Sequence, residues 1–359
     1  MTQREREILN WIEREPMISQ QELADRLGIT RSSVAVHISN LTKKGYIAGK
    51  GYVLRSGTYA MVVGGVNIDI GGRSDKPLVA SDSNPGCVTT ALGGVGRNIA
   101  HNLALMGTEV RMLTAYGDDL YGHRIAASCS ELGIDLSGAL RVSGENTSTY
   151  LYIADEQGEM SLAISDMGIC DRITAAYLAE NIAQLNSAQV VVADCNIPAE
   201  ALQYLAENCT APIFVDPVST IKAEKLRPIL HRIHTLKPNR LEAELLSGIP
   251  IRDEADVEKA AKVLLEKGVH RLFISMGGNG IYAATTEQQL WLPNIPGNMV
   301  NTTGCGDAVT AALVWAYLEG MDLESTTRAA LAAGSIAMES QETINPLMSE
   351  EALRQRMKQ

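Results

Sequence analysis

The 359-residue sequence lacks the patterns that mark secreted, membrane-spanning and zinc-binding proteins. Its six cysteines are scattered and no two form a CxxC pair, which argues against both a zinc site and a disulfide framework. No apolar run approaches the roughly 18 residues that a transmembrane helix needs, and the first ten residues are charged, unlike a signal peptide. We therefore expect a cytoplasmic protein.

Basic residues are fewer than acidic ones, but the deficit is uneven along the chain. Residues 1–57 contain nine Lys and Arg against six Asp and Glu, whereas the remainder contains 22 against 36. The net charge is therefore +3 for the first segment and −14 for the rest, within a total of −11. The two segments are expected to form separate domains with different partners.

Residues 1–57 have the element order of a small helical domain with a β-ribbon. Apolar residues recur at helical spacing in three successive segments, and Thr30 or Ser32 is the expected cap of the third helix. The stretch "IAGKGYVL" indicates a two-stranded ribbon around Gly49 and Gly51. This order resembles that of winged helix-turn-helix domains, which implies DNA binding.

The same resemblance implies which side chains would meet DNA, because the third helix of such domains enters the major groove. Bases and phosphates would be contacted by Arg31, Ser32, Ser33, His37, Asn40, Lys43, Lys44 and Lys50. A homodimer would double this footprint, and we expect one. The alternative is a helical module used only for dimerisation.

From residue 58 onward, short β-rich runs such as "AQVVVAD" and "APIFVDP" alternate with helical stretches such as "EALQYLAENC". This alternation predicts a doubly wound α/β domain with a largely parallel sheet over residues 58–359. "STYLYIADEQGEMSLAISDM" breaks the pattern and predicts two strands joined by a turn. We interpret this hairpin as a β flap that excludes water from a site at the sheet edge.

The stretch "NTTGCGDAV", residues 301–309, is a glycine-rich loop that leads into a helix predicted over 308–318. The first N–H groups of a helix lack intrahelical partners, and the helix dipole favours an anion there. Asp307 beside a bound phosphate would accept the proton of an attacking hydroxyl. Taken alone, the stretch is more typical of a tight turn at Gly304 and Gly306 with Asp307 as a helix cap.

Four motifs occur together and in order: "GGVGRN" (93–98), "KPNRLEAE" (237–244), "SMGGNG" (275–280) and "NTTGCGDAV". In this order and spacing, residues 58–359 resemble the ribokinase-like, PfkB-type carbohydrate kinases. The resemblance implies an ATP-dependent kinase that uses Mg²⁺. It identifies Asp307 as the catalytic base and the amides of Gly304, Cys305 and Gly306 as the anion hole.

The resemblance also assigns the ATP and magnesium side of the site. These residues are Asn239, Glu242, Gly277, Gly280 and Thr303. Glu242 would hold Mg²⁺ indirectly, through water, which suits an ion that keeps several waters. The alternative for Asn239 and Glu242 is a helix cap. Asn301 stands where the family often has an Asp that helps to hold a monovalent cation, which weakens the case for K⁺ dependence.

The acceptor side is assigned in the same way. These residues are Asn67, Asp69, Gly93, Gly94, Asn98 and, in the flap, Asp166. Asp216 or Lys222 would line the same region. "VGGVNIDIGGRSD", "AISDM" and "VDPVSTIKAEKL" are similar to the pseudouridine kinase branch, which implies phosphorylation of the ribose 5′ hydroxyl of pseudouridine.

Two alternatives remain open from the sequence. In the first, the acceptor is another nucleoside or a free sugar of the ribose or fructose type, because sequence does not reveal the shape of the pocket. In the other alternative, the chain is a transcriptional regulator whose kinase-like domain only senses its ligand. The presence of Asp307 and the glycines around it favours an enzyme.

Overall fold

The computed structural model describes residues 2–47 and 59–359. The chain divides into two compact units, Met1–Thr58 and Tyr59–Gln359, which are treated separately below. The ribbon predicted around Gly49 and Gly51 lies outside the described residues, as does Lys50.

The described part of the first unit consists of α1 (Gln3–Arg14), α2 (Gln20–Leu27) and α3 (Arg31–Lys43). Apolar side chains from all three helices form its core: Ile8, Ile12, Leu23, Val34, Ile38 and Leu41. Thr30, not Ser32, caps α3, because its Oγ1 accepts a hydrogen bond from the Ser33 N–H at 3.2 Å.

The second unit alternates strands and helices, as predicted. Its strands are β1 (Tyr59–Val63), β2 (Asn67–Ser74), β3 (Gly86–Gly93), β4 (Glu109–Leu113), β5 (Ala115–Gly117), β6 (Leu140–Val142), β7 (Thr149–Ala154), β8 (Met160–Asp166), β9 (Val190–Asp194), β10 (Ile213–Asp216), β11 (Thr235–Leu236), β12 (Arg271–Ser275), β13 (Ile281–Ala284) and β14 (Gln289–Leu292). Its helices are α4 (Val95–Leu105), α5 (Leu120–Glu131), α6 (Ala175–Glu180), α7 (Ile182–Ser187), α8 (Ala199–Asn208), α9 (Thr220–Ala223), α10 (Arg240–Ser247), α11 (Glu254–Glu266), α12 (Cys305–Leu318), α13 (Leu323–Ala337) and α14 (Glu350–Arg356).

The main sheet has the order β14-β13-β12-β11-β10-β9-β1-β4. Its strands are parallel from β4 to β12, and only β13 and β14 run antiparallel to their neighbours. Alternate side chains of β1 enter two buried layers: Met61 and Val63 pack on one side, Ala60 and Val62 on the other. Helices cover both faces, which confirms the doubly wound α/β prediction.

A separate four-stranded sheet, β3-β2-β7-β8, contains the predicted hairpin as β7 and β8 and is called the flap below. Strand β1 ends just before Gly64 and Gly65, which separate it from β2. The chain therefore passes directly from β1 of the main sheet into β2 of the flap. Across the described ranges, no helix is both long and apolar enough to span a membrane.

We predict that Gly64→Ala destabilises the second unit by about 1–3 kcal/mol, the usual cost of overpacking a core. Gly64 follows β1 directly, and a Cβ atom there would lie 2.4 Å from Oδ2 of Asp194. Urea unfolding measures the loss. Gly168→Ala is the matched control, since its Cβ would meet no atom within 4 Å. Equal stability of the two variants would contradict this account of the close approach.

Candidate active site

Charged side chains are buried where the parallel strands of the main sheet end. Asp194 and Asp216 are the last residues of β9 and β10, and Lys237 follows β11. Asp307 lies in the first turn of α12, close to Asn98 of α4. Carboxyl ends of parallel strands share one sheet edge, which is where ligands bind in such folds.

Asp194 joins two loops and the start of α4 at this edge. Its Oδ2 accepts hydrogen bonds from the N–H groups of Gly65 at 2.9 Å and Gly96 at 2.7 Å, and Oδ1 accepts one from Asn196 at 2.8 Å. The side chain is fully buried, and burial raises its pKa although these hydrogen bonds oppose the shift. Sequence reasoning missed this residue; an acid that ends the apolar run "VVVAD" was the available signal.

Helix α12 begins at Cys305, three residues before the predicted start, so Asp307 is part of the helix rather than of the preceding loop. Gly304 precedes it with φ of 81°, and a Cβ there would lie 2.2 Å from the carbonyl oxygen of Thr343. Only glycine fits this position. Asn98 Nδ2 donates a hydrogen bond of 2.8 Å to Oδ2 of the buried Asp307.

The pKa of Asp307 is raised from 3.8 to about 7. Burial is the largest cause, and the negative charges of Asp216 and Asp194 act in the same direction. The hydrogen bond from Asn98 and the positive charge of Lys237 oppose the shift. A carboxyl group with a pKa near neutrality is suited to take up and release a proton under ordinary conditions.

Lys237 lies beneath the start of α12. Its Nζ is 3.0 Å from Oδ2 of Asp216 and donates to the carbonyl oxygen of Gly306 at 3.4 Å. Burial lowers the pKa of Lys237, but Asp216 outweighs that effect and the net shift is upward, so the ammonium form is kept. The sequence motif included Lys237 without giving it a role.

Asp216, expected in the acceptor region, is the ion-pair partner of Lys237. It is buried, and besides the Lys237 ion pair its Oδ2 accepts a hydrogen bond of 2.8 Å from Thr310 Oγ1. Thr310 belongs to α12, so Asp216 links that helix to β10. Both groups of the pair are buried and partnered, as buried charges must be.

Asn239 and Glu242 form the capping box of α10. Asn239 Oδ1 accepts from the Glu242 N–H at 3.0 Å, and Glu242 Oε2 accepts from the Asn239 N–H at 2.8 Å. Burial raises the pKa of Glu242. No group of three or more metal-ligating side chains occurs within the described residues. The set fits a Mg²⁺ ion held mainly by phosphates and water, with Glu242 as an outer partner.

A cleft of about 520 Å³ adjoins this cap. Its lining includes Asn239, Arg240, Ser275, Met276, Gly277, Asn279 and Trp291. Gly277 and Gly280 lie in the turn between β12 and β13, and the indole N–H of Trp291 donates to the Asn279 carbonyl at 2.8 Å. The Gly277–Gly280 turn, which is expected to lie along the bound nucleotide, thus borders an open cleft.

The side chain of Asn301 holds the loop before α12 through two hydrogen bonds. Asn301 Oδ1 accepts from the Thr303 N–H at 3.0 Å, and its Nδ2 donates to the Gln341 carbonyl at 3.1 Å. Thr303 is exposed. Cys305 is half-buried with its Sγ 3.7 Å from the Gly334 carbonyl oxygen, and burial raises its pKa.

The predicted acceptor residues converge near the root of the flap. Asn67 Nδ2 donates to Asp69 Oδ1 at 2.6 Å, and burial raises the pKa of Asp69. Gly93 ends β3 opposite Asn67, and a Cβ on Gly93 would lie 2.3 Å from Asp69 Oδ2. Gly94 is the N-terminal cap of α4, the helix that carries Asn98.

Asp166 is a correction to the sequence prediction. Asp166 of β8 pairs with Thr149 of β7, and Thr149 in turn pairs with Ile68 of β2. Asp69, the next residue of β2, pairs with Tyr150 of β7, and Tyr150 pairs with Ser165 of β8. Neighbouring residues of a strand point to opposite faces. Asp166 therefore lies on the face of the flap opposite to Asp69 and does not join the acceptor cluster.

The surface of α3 in the first unit is mostly polar but includes the exposed Val36. Arg31, Ser32, Ser33 and Lys43 are exposed. Lys44 Nζ is bonded to Glu5 Oε1 at 2.9 Å and Oε2 at 2.8 Å, and this lowers the pKa of Glu5 to about 2. Lys44 is therefore less free for a phosphate than predicted.

Comparisons with known proteins match both units. Residues 58–350 fit the sequence model of the pfkB family carbohydrate kinases, and residues 1–48 fit that of winged helix-turn-helix DNA-binding domains. The chain belongs to the pfkB family of carbohydrate kinases. The pfkB assignment confirms the predicted family and enzyme class, a carbohydrate or nucleoside kinase of ribokinase-like fold.

Individual relatives agree with the pfkB assignment. An uncharacterized sugar kinase of Escherichia coli K12, YeiI, is 41% identical over 353 residues that cover 97% of each chain. The pseudouridine kinase of the same strain is 44% identical over 298 residues, covering 82% of this chain and 95% of that one. The crystal structure of a putative sugar kinase from Clostridium perfringens has a TM-score of 0.77 and 31% identity, and covers 85% of this chain and 96% of that one.

We predict that Asp307→Asn is more stable than the wild type at pH 8, by about 1–3 kcal/mol, because it removes a buried charge. The folded-state pKa of about 7 lies above the ordinary value of 3.8. Protonated Asp307 therefore stabilises the fold, and this contribution is lost as the pH rises from 3.8 to about 7. Chemical unfolding across this range measures the difference.

The difference in the free energy of unfolding between Asp307→Asn and the wild type should accordingly disappear at acid pH. Asp166→Asn, which alters an exposed carboxylate, is the control and should leave stability unchanged at every pH. A constant gap across the pH range, or a destabilised Asp307→Asn at pH 8, would contradict the assigned pKa.

Proposed function

We propose that residues 58–359 transfer the γ-phosphate of ATP to the ribose 5′ hydroxyl of pseudouridine, and that residues 1–57 bind DNA. The observation that carries the kinase proposal is the placement of Asp307. It is a buried carboxyl group with a pKa of about 7, in the first turn of α12 and hydrogen-bonded to Asn98.

In this proposal Asp307 takes the proton of the acceptor hydroxyl as that oxygen attacks the phosphate. The N–H groups of Gly304, Cys305 and Gly306 stabilise the charge on the transferring group, with the helix dipole behind them. Lys237 adds a fixed positive charge below Gly306. Of these N–H groups, that of Cys305 donates to the Thr302 carbonyl oxygen at 3.3 Å and would exchange this acceptor for the phosphate.

Mg²⁺, when bound with ATP, neutralises phosphate charge. Asn239 and Glu242 would hold its waters, and Gly277, Gly280 and Thr303 would follow the nucleotide beside the cleft. On the acceptor side, Asn67 and Asp69 would hold hydroxyl groups, while Gly93 and Gly94 leave room for the sugar. The flap would keep water out of the site.

The choice of pseudouridine is supported by 44% identity to the E. coli pseudouridine kinase across 95% of that chain. A second candidate acceptor, a sugar or another nucleoside, is supported by YeiI, a named sugar kinase whose match covers 97% of this chain. Unlike the pseudouridine kinase match, which covers 82% of this chain, the YeiI match spans nearly all of it.

We expect ADP release from ATP and Mg²⁺ with pseudouridine, and little with uridine, adenosine, inosine, ribose or fructose. Asp307→Asn should reduce kcat about 100-fold or more, the usual contribution of a general base. Asp166→Asn is the control and should retain activity, since Asp166 lies on the other face of the flap. Turnover confined to another acceptor would replace the substrate, and unimpaired Asp307→Asn would remove the proposed base.

The DNA-binding proposal is supported by the winged helix-turn-helix match and the exposed polar face of α3. A homodimer would place two such helices on paired half-sites. We expect Arg31→Ala and Lys43→Ala to weaken binding to the upstream DNA of the gene in fluorescence anisotropy. Loss of one phosphate contact should lower the salt slope by about 1.

Arg4→Ala provides the control, because Arg4 is on α1 and is paired with Glu7 at 2.7 Å. Equal affinity of all three variants, or binding that ignores salt, would count against a DNA-binding α3.

A further inference from the structure

The loop that leads to the proposed anion hole is bonded to the chain segment that follows α13. The N–H groups of Val300 and Asn301 both donate to the Met338 carbonyl oxygen, at 2.8 Å and 3.2 Å. The Asn301 side chain adds a third bond, from Nδ2 to the Gln341 carbonyl oxygen at 3.1 Å. The loop is therefore fixed on that segment just before Gly304, the residue that precedes α12.

The two ends of the Asn301 amide meet opposite kinds of partner. Oδ1 accepts from the Thr303 N–H at 3.0 Å, whereas Nδ2 donates to the Gln341 carbonyl oxygen. Turning the amide over would place N–H against N–H and oxygen against oxygen, so these partners fix its orientation. Asn301 thus connects a donor within its own loop to an acceptor on the segment after α13.

The position of this loop decides where the anion hole points. The segment after α13 also touches the loop at Gly304, since a Cβ atom there would lie 2.2 Å from the Thr343 carbonyl oxygen. The N–H groups of Gly304, Cys305 and Gly306 stabilise the transferring phosphate only if they are aimed at it. A displacement of the loop by about 1 Å would therefore lower the rate.

A carboxylate in place of the Asn301 amide would make a cation necessary. An ionised aspartate has only acceptor atoms. One of its oxygens would keep the Thr303 N–H, but the other would take the place of Nδ2, 3.1 Å from the Gln341 carbonyl oxygen. Two oxygen acceptors at this distance repel each other unless a cation lies between them. Oxygens of this kind are the ligands that K⁺ prefers.

The residues present do not fit the monovalent cation that the family resemblance implies for this loop. Nδ2 of Asn301 is a donor, which ligates no cation, and it already occupies the Gln341 carbonyl oxygen. Across residues 2–47 and 59–359, no group of three or more His, Cys, Asp or Glu side chains offers an alternative set of ligands. The amide bond to Gln341 stands where an aspartate and its cation would be.

We infer that this kinase works without a monovalent cation, because Asn301 bonds directly to the carbonyl group that a cation would otherwise join to the loop. The inference rests on the proposed function in one respect, that the N–H groups at the start of α12 bind the transferring phosphate. Asn301 is a positioning residue, since it acts on these N–H groups through the loop. Replacing it by aspartate should create the cation requirement that the natural chain lacks.

The test compares the full-length wild type with Asn301→Asp and Asn301→Ala in KCl and in tetramethylammonium chloride at equal ionic strength. ATP is added as its Tris salt, so that no other monovalent metal ion enters, and ADP release gives kcat. The wild type should have the same kcat in both salts. Asn301→Asp should lose about 10-fold in kcat without K⁺, the usual effect of one unmade hydrogen bond, and recover in KCl. Asn301→Ala should be impaired equally in both salts, because alanine offers a cation no side-chain oxygen.

Thermal unfolding in the same two salts gives a second readout that needs no acceptor. The unfolding temperature of Asn301→Asp should be higher in KCl than in tetramethylammonium chloride, whereas that of the wild type should not differ. Asn84→Asp is the matched control for kcat. Asn84 Oδ1 accepts from the Val79 N–H at 2.8 Å and its Nδ2 donates to the Val79 carbonyl oxygen at 3.0 Å, but this loop lies between β2 and β3. Its kcat should equal that of the wild type in both salts.

A wild type that needs K⁺ for turnover, or that K⁺ stabilises against unfolding, overturns the inference whichever acceptor it uses. An Asn301→Asp variant whose kcat and unfolding temperature are the same in both salts overturns it as well. If no acceptor is phosphorylated, the proposed function fails, and the unfolding temperatures alone uphold or overturn the inference.

Discussion

The carboxylate of Asp194 is the contact on which the geometry of the site depends. Its three accepted hydrogen bonds hold the loop after β1, the start of α4 and the loop after β9. The first of these leads to Asn67 and Asp69, the second carries Asn98 toward Asp307, and the third carries Asn196. Fixing three chain segments on one buried carboxylate places the acceptor residues and the proposed base in a common frame.

Next to this frame, one buried carboxylate is paired with a cation and another is not. Asp216 is neutralised by Lys237 and bonded to Thr310, so the sheet edge and the start of α12 are joined by an ion pair and a hydrogen bond. Asp307 has only the amide of Asn98 as a direct partner of its side chain among the described residues. It is the member of the cluster whose protonation changes near neutral pH, because its neighbours leave its charge only partly compensated.

Local signals predicted much of this arrangement. Glycine spacing and helical periodicity located the start of α12 to within three residues, and the alternation of β-rich and helical runs predicted the fold. The sequence did not predict interactions between side chains that are far apart in the chain. Asp194 and Lys237 act through partners 98 and 69 residues away, which no periodicity reports. Asp166 was misplaced because the face of a strand depends on register, and a shift of one residue reverses it.

Two strands of the flap, β2 and β3, are joined to the body of the kinase by very short segments. Strand β2 starts four residues after β1 ends, and β3 passes through Gly94 alone before α4 begins. Both connections are held by N–H groups, of Gly65 and Gly96, that donate to the Asp194 side chain, and by glycines at which a side chain would not fit. The chain also enters the flap before β7 and leaves it after β8, so any swing of the flap bends four chain segments, two of them at Gly64–Gly65 and Gly93–Gly94. Because β2 carries Asp69, the position of the flap would, in the proposed function, decide when an acceptor is bound and when a product is released.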